Sequence, residues 1–289
     1  MEVLILGAHG NLGSQLAKVF SADEEYDVVA WDREDIDITD NDLVMKKVRE
    51  LKPDIIINAA AYNAVDKCEE DEKEFAIAKK INSGAVGYLV EACLETGATL
   101  VHYSSDYVFS GEKKEGYRED DETGPINKYG ETKLLGEEEI IRKSGQGLKY
   151  FLIRTSKLFG PKGESKLAKP SFFQIMLGLA KKQKVVEVVD EEISCFTYTP
   201  DLAVATKKLL ESEKGYGVYH ITNVGRATWR EAAVALFKIV GVKVEVKPVA
   251  GDKFPRPAKR PACSALLNTK FDMQRSWEDA LKEYLVIKS

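Results

Sequence analysis

The chain has 289 residues, of which 44% are hydrophobic and 31% charged, and its formal net charge is −5. That length buries a large core and admits one large or two modest domains, while the acidic balance argues against nucleic acid or an anionic membrane as the main partner. No apolar run approaches the ~20 residues that cross a bilayer, and the N-terminus shows no basic stretch or small-residue cleavage site, so a cytoplasmic protein without a signal peptide is expected.

Residues 3–6 form a short apolar run and predict the first strand. Leu12, Leu16, Ala17 and Phe20 then recur at helical spacing,. Residues 28–31 predict a second strand, and Thr39 with Asp42 reads as a capping box opening a helix to Leu51,. A third strand over 55–57 ends at Asn58-Ala59-Ala60, and a long helix over 70–96 is closed by Gly97,. A fourth strand over 99–104, a helix over 128–143 and a strand over 150–154 complete the first half.

Nearly continuous apolar strands separated by helices imply a parallel sheet buried on both faces. Right-handed crossovers make it a doubly wound, Rossmann-like α/β fold. The second half is less regular, with helices over 172–181, 201–210 and 229–240, a strand over 218–222, a proline-rich stretch over 255–261 and a last helix over 276–284. The expected division is a dinucleotide-binding domain over 1–155, joined by parts of 196–222. Residues 156–195 and 223–289 then form a smaller C-terminal α/β substrate lobe over the sheet's C-terminal edge.

Gly7-Ala8-His9-Gly10-Asn11-Leu12-Gly13 follows the first strand and opens the first helix. Glycine there lets the backbone turn tightly and approach a pyrophosphate, whose charge sits at the helix N-terminus. Gly7, His9, Gly10, Asn11, Leu12 and Gly13 are therefore candidate cofactor contacts. Asp32, just after the second strand, is placed to accept from an adenosine ribose, whereas Arg33 beside it suits a 2′-phosphate. The two leave NAD and NADP both open. Asp37 and Ile38 are candidates to cradle adenine, with a plain turn role for Asp37 given equal weight.

Tyr129 and Lys133, four apart on a predicted helix, share one face. An ammonium held near a phenol favours the phenolate and pulls a pKa that starts near ~10 toward neutrality. Ser104 or Ser105, at the C-terminal end of the fourth strand where open α/β sheets bind ligands, offers a hydroxyl between the tyrosine and a substrate carbonyl. That is equipment for moving a proton while a cofactor moves a hydride. A second Tyr-x-x-x-Lys, Tyr284 with Lys288, lies in the terminal helix away from any strand end and reads as packing. The polar loop over 110–127 is long enough to be functional rather than a plain connector. Cys68, Cys93, Cys195 and Cys263 show no Cys-x-x-Cys spacing and read as reduced structural thiols,. His9, His102 and His220 are too few and too dispersed to spell a zinc site, and no metal is expected,.

On these motifs the chain resembles the extended short-chain dehydrogenase/reductase family and, within it, the dTDP-4-dehydrorhamnose reductase family. The resemblance runs nearly the full length. It rests on the glycine turn, Asp35-Ile36-Asp37-Ile38-Thr39-Asp40, Pro53-Asp54-Ile55-Ile56-Ile57-Asn58-Ala59-Ala60-Ala61-Tyr62 and Ala64-Val65-Asp66-Lys67-Cys68-Glu69. Ser104-Ser105-Asp106-Tyr107-Val108-Phe109, Tyr117-Arg118-Glu119, Pro125-Ile126-Asn127-Lys128-Tyr129-Gly130, Arg154-Thr155-Ser156 and Lys259-Arg260-Pro261 continue it.

What the resemblance implies is NADPH, with NADH open, reducing the 4-keto group of a nucleotide-linked 6-deoxyhexose. Ser105 would hydrogen-bond the ketone, Tyr129 donate the proton, and Lys133 lower its pKa and hold the nicotinamide ribose. Ala59, Ala60 and Ala61 join the cofactor contacts, Asp106 and Tyr107 line the sugar site, and Asn82 matches a structural asparagine that relays protons through water. Lys259 and Arg260 are suited to the diphosphate. In this family Arg-Thr-Ser is often followed by tryptophan, but Lys157 follows here. The usual Asp-Gln-x-Gly-x-Pro-Thr segment reads Glu191-Glu192-Ile193-Ser194-Cys195-Phe196-Thr197. Both departures fall on the sugar side, with Lys157 a candidate substrate contact. The resemblance admits dTDP-4-dehydro-L-rhamnose reduction, reduction of another nucleotide 4-keto-6-deoxy sugar, and a non-catalytic NADP-binding regulator resembling the beta subunit of methionine adenosyltransferase. A small-molecule partner is expected, and a homodimer is left open.

Overall fold

The computed structural model describes residues 1–165 and 169–286. The first half runs β1 (Glu2–Leu6), α1 (Gly13–Ser21), β2 (Asp27–Trp31), α2 (Asn41–Leu51), β3 (Ile55–Asn58), α3 (Val65–Glu70), α4 (Glu72–Lys79), α5 (Ala85–Thr96), β4 (Thr99–Ser105), α6 (Lys128–Lys143) and β5 (Lys149–Thr155). The second half adds β6 (Leu158–Phe159), α7 (Phe172–Ala180), β7 (Val185–Val189), β8 (Ile193–Cys195), β9 (Thr197–Tyr198) and α8 (Thr199–Glu211). It ends with β10 (Gly217–His220), β11 (Arg226–Thr228), α9 (Trp229–Val240), β12 (Glu245–Val249) and α10 (Trp277–Val286).

β2, β1, β3, β4, β5 and β10 lie side by side in that order, every neighbouring pair parallel. The order reverses at β1, so the loops leaving β1 and β3 part and open a crevice at the C-terminal edge, where such sheets take ligands. Side chains along β1 alternate between two cores, as a strand requires. Val3 and Ile5 pack with Leu16 and Phe20 of α1 and Leu202 and Leu209 of α8. Leu4 and Leu6 meet Val44 and Val48 of α2, Leu89 of α5 and Ile140 of α6. Burial on both faces is why β1 and β3 read as unbroken apolar runs,. Each such side chain stabilises the sheet by roughly 1.5–3 kcal/mol relative to exposure.

A third core gathers Phe159, Phe173, Phe196, Leu236, Trp277 and Tyr284. It is knit by three short pairs: β6 with β9, β8 with β11, and β7 with β12. Pieces of two to five residues carry too little alternation to stand out in sequence, and none of these pairs was expected. Tyr284 is fully buried there, in keeping with a packing role, while Lys288 lies outside the described residues.

The helix expected over 70–96 runs from Glu72 to Thr96 as α4, a π-turn and α5, and starts two residues later than expected. Asp71, extended at φ −130°, ends α3 and caps α4 by accepting from the Lys73 amide, and a five-residue π-turn, Lys80–Gly84, precedes α5. Gly97 closes α5 in the left-handed region as expected. Asp40 rather than Thr39 caps α2, accepting from the Leu43 amide at 3.0 Å. Thr39 is instead held by Asp37, which accepts from its amide and hydroxyl.

The loop over 110–127 is pinned rather than free. The Tyr117 hydroxyl accepts from the amides of Gly111 and Glu112 at 2.8 and 2.9 Å. The Glu119 carboxylate accepts from the amide and hydroxyl of Thr269. All four cysteines are free and buried, and no helix among the described residues is long and apolar enough to cross a membrane.

Candidate active site

The glycine turn is dictated by close approach. Gly7 has φ +74°, and a Cβ there would lie 2.8 Å from the Ala60 backbone at the end of β3. A Cβ on Gly13 would lie 2.1 Å from the Gly7 carbonyl oxygen, so only glycine lets α1 start this close to β1. Gly10 donates its amide to that carbonyl at 3.0 Å, completing a tight cradle at the helix N-terminus. The cradle fits a pyrophosphate, which needs backbone close by and a helix start facing it.

Asp32 takes a role sequence did not assign. Its carboxylate accepts from the amides of His9 and Arg33 at 2.9 and 2.8 Å, anchoring the turn to β2. The fold also brings His9 beside Asp32 and Glu34, with donor atoms within 4.8 Å of one another, a proximity invisible in their spacing. Asp37 forms the turn with Thr39 described above, Ile38 packs at the edge of the second core, and Ala59 and Ala60 floor the crevice against Gly7. Asn11 accepts from the Gly163 amide at 2.8 Å, and Ser165 donates to the His9 carbonyl at 2.9 Å. Gly163 went unnoticed in sequence. A Cβ there would meet the His9 oxygen at 2.4 Å, so the segment after β6 lies directly on the glycine turn.

The tyrosine helix is placed by the same logic. Asn127 caps α6 by accepting from the Gly130 amide at 2.8 Å, and its side-chain amide donates to the Lys259 carbonyl. A Cβ on Gly130 would stand 2.2 Å from the Tyr107 carbonyl, and one on Gly136 would stand 2.1 Å from that of Asn82. Two glycines thus let α6 sink against the turn after β4 and against the π-turn. Tyr129 arrives beside Ser105–Tyr107, its ring edge-on to Tyr107 at 5.8 Å and its hydroxyl donating to Asn63 at 3.4 Å. Asn82 is engaged at both ends of its amide, accepting from the Tyr62 amide and donating to the Tyr62 carbonyl and the Thr132 hydroxyl. It ties the loop after β3 to α6.

Lys133 is buried and donates to the Tyr103 carbonyl at 2.7 Å. Burial pulls its ammonium down to about 8, with Glu137 opposing. The phenol behaves opposite to the sequence expectation. Burial and then the charge of Asp106 push Tyr129 above its ordinary value, the Ser105 hydroxyl pulling the other way. The physical reason is that the Lys133 ammonium is turned to a backbone carbonyl, so desolvation of the ring decides. Asp106 is itself buried, accepting from Ser264 at 2.6 Å and Ser105 at 3.1 Å, and burial raises its carboxyl. The Tyr107 amide donates to the Ser105 hydroxyl at 3.2 Å.

In the proline-rich stretch, Arg260 pairs with Asp66 at 2.8 Å and also donates to the Ala258 carbonyl. Arg256, missed in sequence, pairs with Glu192. The 255–261 stretch is thus tied to both halves of the chain. Lys157 follows β5 at φ +37° with its ammonium over the Trp229 ring.

The profile of the family described as RmlD substrate binding domain matches residues 1–288. The dTDP-4-dehydrorhamnose reductase of Aggregatibacter actinomycetemcomitans is 36% identical over 297 residues, covering 97% of each chain. A Streptomyces antibioticus protein named as a probable dTDP-4,6-dihydroxy-2-methyloxan-3-one 4-ketoreductase is 34% identical, covering 98% of this chain and 94% of its own. The solved dTDP-4-dehydrorhamnose reductase of Bacillus anthracis, in complex with NADP, superposes with a TM-score of 0.90 at 36% identity and 99% coverage of both chains. Since the likeness takes in the glycine turn, the tyrosine helix and the second core alike, the chain belongs to the RmlD substrate binding domain family.

Proposed function

We propose that this protein reduces the 4-keto group of dTDP-4-dehydro-L-rhamnose to give dTDP-L-rhamnose, with NADPH as reductant. The observation that carries the reading is the convergence of Ser105, Tyr129 and Lys133 at the C-terminal edge of β4, beside the crevice that opens at the glycine turn. Relatives bearing this activity's name, and a neighbour solved with NADP, support it.

In this reading residues 1–155 with parts of 196–222 hold the dinucleotide. Residues 156–195 and 223–289 hold the sugar. The Gly7–Gly13 turn takes the pyrophosphate, Arg33 a 2′-phosphate, and Lys133 the nicotinamide ribose. The bound dinucleotide supplies a hydride to C4 of the sugar. Ser105 donates to the 4-keto oxygen as it gains charge, and Tyr129 gives that oxygen its proton. A phenol kept above its ordinary pKa is fully protonated at neutral pH, which is the form a donor needs. Arg260, beside Asp66, lies toward the nucleotide diphosphate, and Asp106, Tyr107 and Lys157 line the hexose side.

The test is oxidation of NADPH and NADH with dTDP-, UDP- and GDP-linked 4-keto-6-deoxyhexoses. NADPH with dTDP-4-dehydro-L-rhamnose is expected to turn over fastest. Lys157 and the Streptomyces relative's name favour, as second reading, a different dTDP-4-keto-6-deoxy sugar, which would then lead the panel. Tight NADPH binding without turnover of any sugar would point to the regulator.

A pH limb follows from Lys133. Its ammonium, charged below about 8, loses its proton above that value. In the free enzyme kcat/KM for reduction is expected to fall toward tenfold per pH unit above roughly pH 8, and Lys133→Arg, whose charge does not titrate there, is expected to remove that limb. A flat wild-type profile to pH 9.5 would contradict this.

A further inference from the structure

We infer that the Lys157 ammonium reads the sugar: it donates to an acceptor oxygen, hydroxyl or carbonyl, on the hexose, and so selects sugars oxygenated at the ring carbon it faces over the deoxy and amino analogues. This rests on the reading of the site as a nucleotide-sugar pocket and adds the chemistry by which the sugar is chosen.

Four observations converge. Thr155 pairs in register with Ser105, so Lys157 stands two residues beyond the strand end adjoining the Ser105 hydroxyl. Its backbone sits at φ +37°, a region L side chains rarely adopt, and its carbonyl accepts from the Thr197 amide at 3.3 Å, which holds the residue in that posture,. Its Nζ is shut off from water and donates to no oxygen among the described residues. It lies 3.7 Å from the Trp229 ring centroid and 5.3 Å from that of Phe196, on the wall of a cavity of about 60 Å³ lined also by Phe159, Phe172 and Phe173.

A cation over aromatic faces recovers part of what it loses on leaving water. Three N–H donors without an acceptor still leave most of that loss uncompensated. The two nearby carboxylates are already engaged. Asp106 accepts from Ser264 and Ser105. Glu192 accepts from the Trp229 indole at 2.9 Å and pairs with Arg256. Burial brings the Lys157 ammonium down to about 8, with the charges of Asp106 and Glu192 holding it up.

Those two charges also decide what kind of acceptor belongs here. With Asp106 and Glu192 already set against the two cations Lys157 and Arg256, a ligand carboxylate would be one anion too many, and a ligand ammonium would meet like charge at Lys157. A neutral hydroxyl or carbonyl oxygen completes the donors without upsetting the balance. The strained backbone and the aromatic walls keep the ammonium from swinging to water instead.

The experiment is calorimetric binding of dTDP, dTDP-L-rhamnose, its 2-deoxy and 3-deoxy analogues and the 3-amino-3-deoxy analogue to the NADP-loaded protein. Wild type, Lys157→Met and Lys157→Arg are compared. Wild type is expected to bind dTDP-L-rhamnose at least tenfold tighter than one of the deoxy analogues, and to bind the amino analogue weakest of all. Lys157→Met is expected to shrink these ratios below threefold with dTDP affinity unchanged, and Lys157→Arg to restore part of them. The inference is overturned if wild type binds the parent no tighter than dTDP or no tighter than both deoxy analogues, or if Lys157→Met keeps the discrimination. Should the methionine variant not fold, the wild-type analogue series decides alone. Turnover is scored separately: a protein that discriminates these ligands yet oxidises NADPH with no 4-keto sugar refutes the reductase reading and leaves the Lys157 inference standing.

Discussion

Tyr129→Phe is expected to lower kcat for sugar reduction by roughly 10²–10⁴-fold, the usual span for loss of a positioned general acid, while NADPH affinity stays within about threefold. The reason is local. The ring is buried edge-on to Tyr107, and α6 is set by Asn127, Gly130 and Gly136, none of which depends on the phenol oxygen. Phenylalanine fills the same space, and the oxygen it lacks donates to Asn63 at 3.4 Å and meets the Ser105 hydroxyl, neither of which holds α6 in place. What disappears is the proton source for the reduced carbonyl. Steady-state kinetics with a titration of NADPH fluorescence checks both halves. Turnover within about fivefold of wild type would remove Tyr129 from the mechanism.

The second large effect concerns stability. Arg154 of β5 donates to Glu137 of α6 through Nε at 2.9 Å and Nη2 at 2.6 Å, and through Nη1 to the Glu119 carbonyl at 3.1 Å. The side chains are 4% and 0% exposed. Arg154→Met leaves the Glu137 carboxylate buried and unpaired, which is expected to destabilise the fold by about 3–5 kcal/mol. For a chain of this size that lowers Tm by roughly 10 °C. Arg154→Met with Glu137→Met is expected to recover most of the loss, because replacing both charges removes the stranded one. Thermal unfolding of the single and double variants separates the outcomes: a single-variant shift under about 3 °C, or no recovery in the double, would refute the account.

That pair illustrates what sequence could and could not reveal. Arg154 stood out as part of Arg-Thr-Ser, yet nothing in the motif says that it clamps β5 to the helix bearing Tyr129 and Lys133. Glu137 lies on the same helix, and its partner comes from the next strand. Gly163 and Arg256 were missed for a similar reason. Each meets a neighbour far away in the chain, Gly163 the His9 carbonyl and Arg256 the Glu192 carboxylate. The helix over 70–96 was legible because its apolar pattern runs on through the π-turn, but the turn itself, which carries Asn82, leaves no mark in the spacing.

By itself the sequence determined the parallel sheet, the glycine turn, the meeting of Ser105, Tyr129 and Lys133 at the end of β4 and the burial of Tyr284. These follow from signals a chain carries locally: unbroken apolar runs, glycine between strand and helix, and side chains one helical turn apart. Tertiary structure alone decided that β10 closes the sheet beside β5, that Asp32 anchors the glycine turn, and that Lys157 rests on Trp229. It also reversed the expected direction for the Tyr129 phenol. Charge at a buried site is the sum of desolvation and of every neighbour the fold brings in, and spacing along the chain records neither.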